Sequence, residues 1–262
     1  MTGAEGRSLS AELHRLKSKG LLSLVRVARS TLWLCILPVL VSCRPLLRRE
    51  VSGAVLALEG SAQGMAAGKT IRLTTNEWIQ PGEKITTTAD TRLDLMLLPG
   101  ILVELAADTE IEIIRLRLVR DGDETIRPMN AREASLELIR GTLVASVGQA
   151  QTRSRIFVQT AAGNLSASNL RTFKVQIDEN RARVIAVRGR TTFKPAEAGA
   201  PITIEAGYFA EWPPRGIAPP RPAVRSDSII QAEIGRILRA EGRLFRLQKN
   251  YRASSDSWPP LH

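Results

Sequence analysis

The sequence predicts an all-β domain, a sandwich, roll or barrel of about a dozen short strands, followed by a C-terminal amphipathic helix. Two observations carry the strands: apolar residues alternate with polar ones over short runs, and glycine, proline, asparagine and aspartate break those runs at roughly ten-residue spacing. A third carries the class: no parallel βαβ pattern appears anywhere along the chain.

The first element precedes the domain. In "LCILPVLVSCRPLL", Leu34 to Leu47, an apolar stretch from Leu32 to Val41 follows a basic region ending at Arg26 and Arg29 and gives way to small residues before Cys43. The run falls short of the roughly 20 apolar residues that a bilayer-spanning helix needs. Leu40-Val41-Ser42-Cys43 resembles the lipobox of bacterial lipoprotein signal peptides. That resemblance implies cleavage before Cys43 and lipid attachment at Cys43, with residues 1–42 as the signal peptide and 43–52 as a tether. Each buried CH₂ of an acyl chain contributes about 0.8 kcal/mol, so several chains hold firmly. The plainer alternative is a buried cysteine ending a core helix. Arg44 stands where an aspartate retains some bacterial lipoproteins at the inner membrane, which favours outer-membrane sorting.

The strands begin after Leu47. In "TRLDLMLLPGILVELAADTEIEI", Leu93, Leu95 and Leu97 alternate with Arg92, Asp94 and Met96, and Ile101, Val103 and Leu105 repeat the pattern. Pro99-Gly100 between them has the residues that the two central positions of a type II turn require. In "TEIEIIRLRLVRDGDE", Ile111 and Ile113 lie on one phase and Ile114, Leu116 and Leu118 on the other. A one-residue slip reverses the faces, so a β-bulge or strand break is expected near Ile113 and Ile114. Further runs follow: Leu136 and Leu138 before Gly141-Thr142, then Leu143, Ala145 and Val147, then Phe173, Val175 and Ile177. After a turn at Asp178-Glu179-Asn180 come a strand from Arg183 to Val187 and another at Ile202 and Ile204.

Beyond Trp212, "PPRGIAPPRPAVR" is too proline-rich for sheet interior and reads as an extended linker, 213–226, or as a segment lying along the β-domain. A helix is expected over 227–252, with Ser226 or Asp227 as N-cap, and a tail over 253–262. Ile230, Ile234, Ile237 and Leu238 share a face, joined in looser register by Leu244, Phe245 and Tyr251, while Arg236, Arg239, Arg243, Arg246 and Lys249 make the helix basic. A basic amphipathic helix can lie on an anionic membrane. The favoured reading packs its apolar stripe on a neighbour and leaves the basic face solvated.

The order of strands and glycines in "QPGEKITTTADTRLDLMLLPGILVELAADTEIEI", "LELIRGTLVASV", "FVQTAAGNLSASNLRTFKV", "RVIAVRGRTTF" and "ITIEAGYFAEW" resembles the extracytoplasmic domain of the FecR family. The resemblance covers about residues 53–212. It implies an elongated all-β domain, a FecR-like sandwich or roll, facing outward from the cytoplasmic membrane. Pro99-Gly100 and Arg171-Thr172 depart from the family's usual Asp-Gly and Gly-Thr at those places, which implies altered corners there.

Composition narrows the chemistry. After Cys43 the chain has one histidine, His262, and no further cysteine, so a Ser-His-Asp or Cys-His arrangement and a His/Cys zinc site are excluded from that region. "DGDE" at Asp121 to Glu124 opens like a calcium loop without the later glycine and glutamate of an EF-hand, and a solvated turn is expected. Glu104, Asp108, Glu110 and Glu112 include the carboxylates an acid/base pair needs, yet alternating glutamates opposite isoleucines also dress a half-exposed strand. No catalytic residues, metal or cofactor are expected. The net charge of +11 invites anionic partners, but aromatics are only 4% and the export-like segment argues against nucleic acid. The sequence therefore points to a non-catalytic, lipid-anchored protein of the bacterial cell envelope, facing the periplasm. Its expected partners are the membrane, through the lipid anchor, and an envelope protein or anionic polysaccharide, unless its role is architectural. The alternative is a transmembrane FecR-like signal transducer regulating an extracytoplasmic-function sigma factor.

Overall fold

The computed structural model describes residues 47–120, 131–148, 153–168, 170–178, 181–196, 200–212, 221–222 and 228–254. The lipobox-like Leu40, Val41, Ser42 and Cys43, the Asp121–Glu124 turn and residues 179–180 lie outside them.

Within this set the chain forms eighteen strands and one helix. One sheet runs in the order β5 (Trp78–Ile79), β2 (Gly53–Glu59), β7 (Arg92–Leu98), β8 (Ile101–Leu105), the C-terminal half of β10 (Ala131–Val147), β13 (Arg171–Asp178), β14 (Arg181–Arg188), β17 (Tyr208–Trp212) and β18 (Arg221–Pro222). The second runs β4 (Lys69–Arg72), β3 (Ala62–Ala66), β6 (Lys84–Thr87), β9 (Glu110–Arg120), the N-terminal half of β10, β11 (Ser154–Thr160), β12 (Gly163–Ser168), β15 (Thr191–Pro195) and β16 (Ile202–Ile204). β1 (Leu47–Glu50) pairs with the far end of β9. The strands outnumber the expected dozen because β1, β4, β5, β16 and β18 are pieces of two to four residues.

The two sheets bury one apolar cluster between them. Leu93, Leu95, Leu143, Phe173 and Val175 come from the first sheet, and Ile111, Ile113, Leu136, Ile156, Val158 and Phe193 from the second. Each fully buried side chain of this kind contributes about 1.5 to 3 kcal/mol.

Two turn readings agree with the structure. Leu98 pairs with Ile101 across Pro99-Gly100, and Gly100 has φ +83°, as a type II turn demands. In β9, Ile113 opposes Leu136 and Arg115 opposes Ser135, so Ile114 is the extra residue of a bulge. The bulge returns Leu116 to the buried face.

One reading needs correction. The runs on either side of Gly141-Thr142 are a single seventeen-residue strand, β10, which crosses from one sheet to the other. Gly141 sits at the crossing with φ +94°, and its backbone passes so close to Thr109 that a Cβ would lie 2.5 Å from the Thr109 Cα. Thr109 secures this corner: its Oγ1 accepts from the Thr142 N–H at 3.0 Å, and its own N–H donates to Thr87 Oγ1 at 2.9 Å. The chain then returns to run β11 parallel to the first half of β10, the only parallel pairing among the described strands.

The helix, α1 (Ser228–Ser254), starts within a residue of the expected position and packs on the outer face of the first sheet. Its buried positions Ile230, Ile237, Glu241, Leu244, Gln248 and Tyr251, with half-buried Ile234, recur at alternating steps of three and four, and Ala240 is buried beside this seam. Leu238 lies off this seam and is 39% exposed, so its assignment to the packed face is corrected. The Pro-rich segment contributes β18, whose Arg221 and Pro222 pair with Phe209 and Tyr208.

Candidate functional site

The outer faces of the two sheets are treated differently, and the difference locates the candidate site. On the first sheet, Met96, Leu102, Ala54 and Leu56 meet Leu244 and Tyr251 of α1, and Val144 and Ile185 meet Ile237 and Ala240. Between these apolar patches runs a polar seam. Arg243 donates to both carboxylate oxygens of Asp94, at 3.0 and 3.1 Å, and also pairs with Glu104. Thr172 Oγ1 donates to Glu241 Oε1 at 2.6 Å, Arg188 Nε donates to Glu241 Oε2 at 2.8 Å, and Lys174 pairs with Glu233. Arg243 is therefore turned into the sheet and does not belong to the solvated basic face, which Arg236, Arg239, Arg246 and Lys249 form. Burial pushes the Glu104 carboxyl up, against the pull of Arg243, and Asp94 beside it adds to the rise. This face is occupied by the chain itself.

The outer face of the second sheet carries no such cover among the described residues. Period-two alternation sends Ile156 and Val158 inward and Arg155, Phe157 and Gln159 outward. Strand register then aligns side chains from five strands. Arg115 on β9 lies opposite Ser135 on β10, Ser135 beside Phe157 on β11, Phe157 opposite Ser166 on β12, and Ser166 opposite Thr192 on β15. One step along, Glu137, Gln159, Asn164 and Lys194 form a parallel row. With strands about 4.8 Å apart, the five-strand row spans about 19 Å and the four-strand row about 14 Å.

Arg115, Glu133, Ser135, Phe157, Gln159, Asn164, Ser166, Thr192 and Lys194 line a groove of about 500 Å³ on this face, with Val158 and Leu165 beneath and Pro201 at its edge. Pockets of this size, with an apolar floor and a few polar groups, are the usual dimensions of ligand sites. The side chains of Ser135, Gln159, Asn164, Ser166 and Thr192 make no hydrogen bond with other described side chains or backbone. Ser135 is only 7% exposed, so its uncommitted hydroxyl opens solely into the groove. Arg115 and Glu133 approach at 3.9 Å, a loose pair at one end.

The acidic residues singled out in the sequence do not converge. Glu104 lies beneath α1 on the first sheet, and Asp108 occupies a turn at φ +52°. Glu110 lies on the second sheet with Lys84 at 3.3 Å and Arg140 at 3.1 Å. Burial works against its ionisation, but hydrogen bonds from Arg140 and Lys84 hold the Glu110 carboxyl below the usual range. Among the described residues no group of three or more His, Cys, Asp or Glu side chains could hold a metal ion. The groove went unread in the sequence, although consecutive Ile156, Phe157 and Val158 carried a signal: with alternating faces, one of the three has to point outward.

Residues 83–192 match the family model described as FecR protein. Among solved structures, two crystal structures of a candidate anti-sigma factor from Parabacteroides distasonis ATCC 8503 are similar at 15% and 14% identity, each with a TM-score of 0.35. Each match covers 49% of this chain and 53% of the other, so the likeness spans about half the length of those structures. No curated protein matches the chain. The match begins at Glu83, just before β6, and ends within β15, so it takes in the β10 crossing and almost all of the groove. The stretch that matches the FecR family model is built into an all-β fold that a C-terminal helix covers on one side.

Proposed function

We propose that this protein is a non-catalytic, lipid-anchored component of the bacterial envelope, tethered through Cys43, whose FecR domain binds a partner, a protein or a polysaccharide, on the open face of the second sheet. The observation that carries this reading is the groove, with five neutral polar side chains uncommitted around a half-buried aromatic. The FecR match supports a regulatory, signal-handling setting, and the lipobox-like Leu40-Val41-Ser42-Cys43 supports the anchor. Glu104 and Glu110 are ion-paired on different sheets, which supports a role without acid/base chemistry.

The test is the intact mass and N-terminal peptide of the protein purified from its own membranes, beside a Cys43→Ala variant. A chain beginning at an acylated Cys43 is the expected result. An unprocessed chain retaining residues 1–42 would remove the anchor from this reading.

The FecR match also favours a second reading, a transmembrane transducer regulating an extracytoplasmic-function sigma factor. Among the described residues no helix is long and apolar enough to cross a membrane, and the apolar stretch Leu32–Val41 lies outside them. Detection of Met1–Gly20 on the intact protein in cells would select the transducer.

A further inference from the structure

We infer that the groove on the second sheet is a site for an acidic saccharide chain. The inference rests on the reading of this face as the binding face, and it adds the ligand's chemical class.

The first argument is hydrogen-bonding type. Ser135, Ser166 and Thr192 supply hydroxyls, each both donor and acceptor, and Gln159 and Asn164 supply amides that donate and accept in fixed directions. A partner matching that set must itself present closely spaced groups that do both, as the hydroxyls of a sugar ring do. A peptide strand offers its hydrogen bonds along the backbone, and its favoured mode is addition to a free strand edge. Here β10, β11 and β12 are paired on both sides, so their backbone groups are spent in the sheet.

The second argument is the aromatic. Phe157 stands at the middle of the row, half-buried, with hydroxyls on both neighbouring strands at its register position. A ring held this way offers a flat apolar surface inside a polar frame, complementary to a sugar whose C–H face is apolar and whose rim is polar.

The third argument is charge. β11, β12 and β15 contain Arg155 and Lys194 and no carboxylate; neither cation has an ion-pair partner among the described residues, and Lys194 lines the groove. The carboxylates on the strands of this face, Glu50, Glu110, Glu112, Glu133 and Glu137, belong to β1, β9 and β10, and of them Glu133 lines the groove. The groove is thus polarised along its row. A saccharide whose carboxylate groups lie toward β15 meets Lys194 there, while its hydroxyls meet Ser135 and Gln159 near the centre.

The experiment is calorimetric titration of the full chain in detergent micelles with tetragalacturonic acid and, separately, with cellotetraose. Tetragalacturonic acid is expected to bind about tenfold more tightly than cellotetraose. Phe157→Ala and Asn164→Ala should each weaken both by about tenfold or more with the thermal transition unchanged, and Lys194→Met should remove only the preference for the acid. Binding of neither saccharide, equal binding of both, or binding unaffected by Phe157→Ala and Asn164→Ala would overturn the inference. Hydrogen exchange of the full chain with a solubilised envelope extract separates the two levels. Protection of the β11 and β12 amides without saccharide binding would overturn the ligand class and leave the groove as the binding face. Protection nowhere on the second sheet, with no saccharide binding, would overturn both.

Discussion

Arg243, on the helix, grips Asp94, on the sheet, with two nearly parallel hydrogen bonds, Nε to Oδ2 at 3.0 Å and Nη2 to Oδ1 at 3.1 Å. The Asp94 side chain is 2% exposed, so this carboxylate has little water to fall back on. The Arg243→Ala variant leaves Asp94 and Glu104 as buried like charges and should cost about 3 kcal/mol, measured by denaturant unfolding. Adding Asp94→Asn to it should recover part of the loss, since the stranded charge is then gone. Lysine at 243 should not rescue fully, because a single ammonium cannot reproduce the fork.

Glu83 sets a pH dependence of its own. It is 3% exposed, fits only because Gly64 opposite it has no side chain, and leaves Oε1 without a hydrogen-bond partner while Oε2 accepts from the Gln80 N–H. Burial pushes its carboxyl above the ordinary value of 4.5; the Gln80 N–H works the other way, and Glu77 adds to the rise. A carboxyl raised on folding contributes stability that is fully present below 4.5 and lost as pH climbs through the raised value. Glu83→Gln should therefore raise the thermal midpoint at pH 7 by a few degrees and change little at pH 4. Glu110, held low by Arg140 and Lys84, behaves oppositely: its contribution is present above 4.5 and fades as pH falls, so Glu110→Gln should be mildly destabilising at neutral pH only.

Gly141 and Gly100 both have positive φ, at +94° and +83°, yet they should respond differently to alanine. At Gly100 an added Cβ meets nothing closer than Arg132 Nη1 at 3.5 Å, so the cost is the backbone term, about 1 kcal/mol. At Gly141 it would meet the Thr109 backbone and side chain at 2.5 Å, and neither can move without breaking the hydrogen bonds that hold the corner. Gly141→Ala should cost at least about 3 kcal/mol or prevent folding, read from equilibrium unfolding of the two variants side by side.

The Cys43 proposal predicts a partition. Wild-type protein should fractionate with membranes and stay there in high salt, because acyl burial is insensitive to ionic strength. Cys43→Ala should shift out of that salt-resistant fraction by about tenfold or more, measured by immunoblot of washed membranes.

Period-two alternation made the Pro99-Gly100 hairpin and the Ile114 bulge readable from the sequence, because each follows from local chemistry: a turn that needs φ > 0, and a phase change no regular strand can absorb. The packed face of α1 was only half readable. Glu241 and Gln248 occupy its seam, and nothing local announces that Thr172 and Arg188, far away in the chain, will partner that glutamate. Arg243 was read as solvated for the same reason. Thr172, at the corner where Arg171-Thr172 departs from the Gly-Thr usual in the FecR family, proves to be a contact to the helix. The groove depended on register across β9, β10, β11, β12 and β15, and alternation says which residues point outward without saying which of them become neighbours. In β7, Asp94 and Met96 on the face away from the leucines are buried too, the trace of a second cover that alternation alone assigns to solvent.

The crossing of β10 has a mechanical consequence. One continuous backbone carries Ser135 at the groove floor and Ser146 beneath the helix, where Ser146 Oγ lies 3.2 Å from Thr172 Oγ1. No sheet can peel away alone, since removing either tears the strand that the other also needs. The domain should resist force and proteases as a single brittle unit, with the amides of both halves of β10 exchanging through the same rare global opening. A pull delivered through a tether at its front end would then be carried across both layers, or not at all.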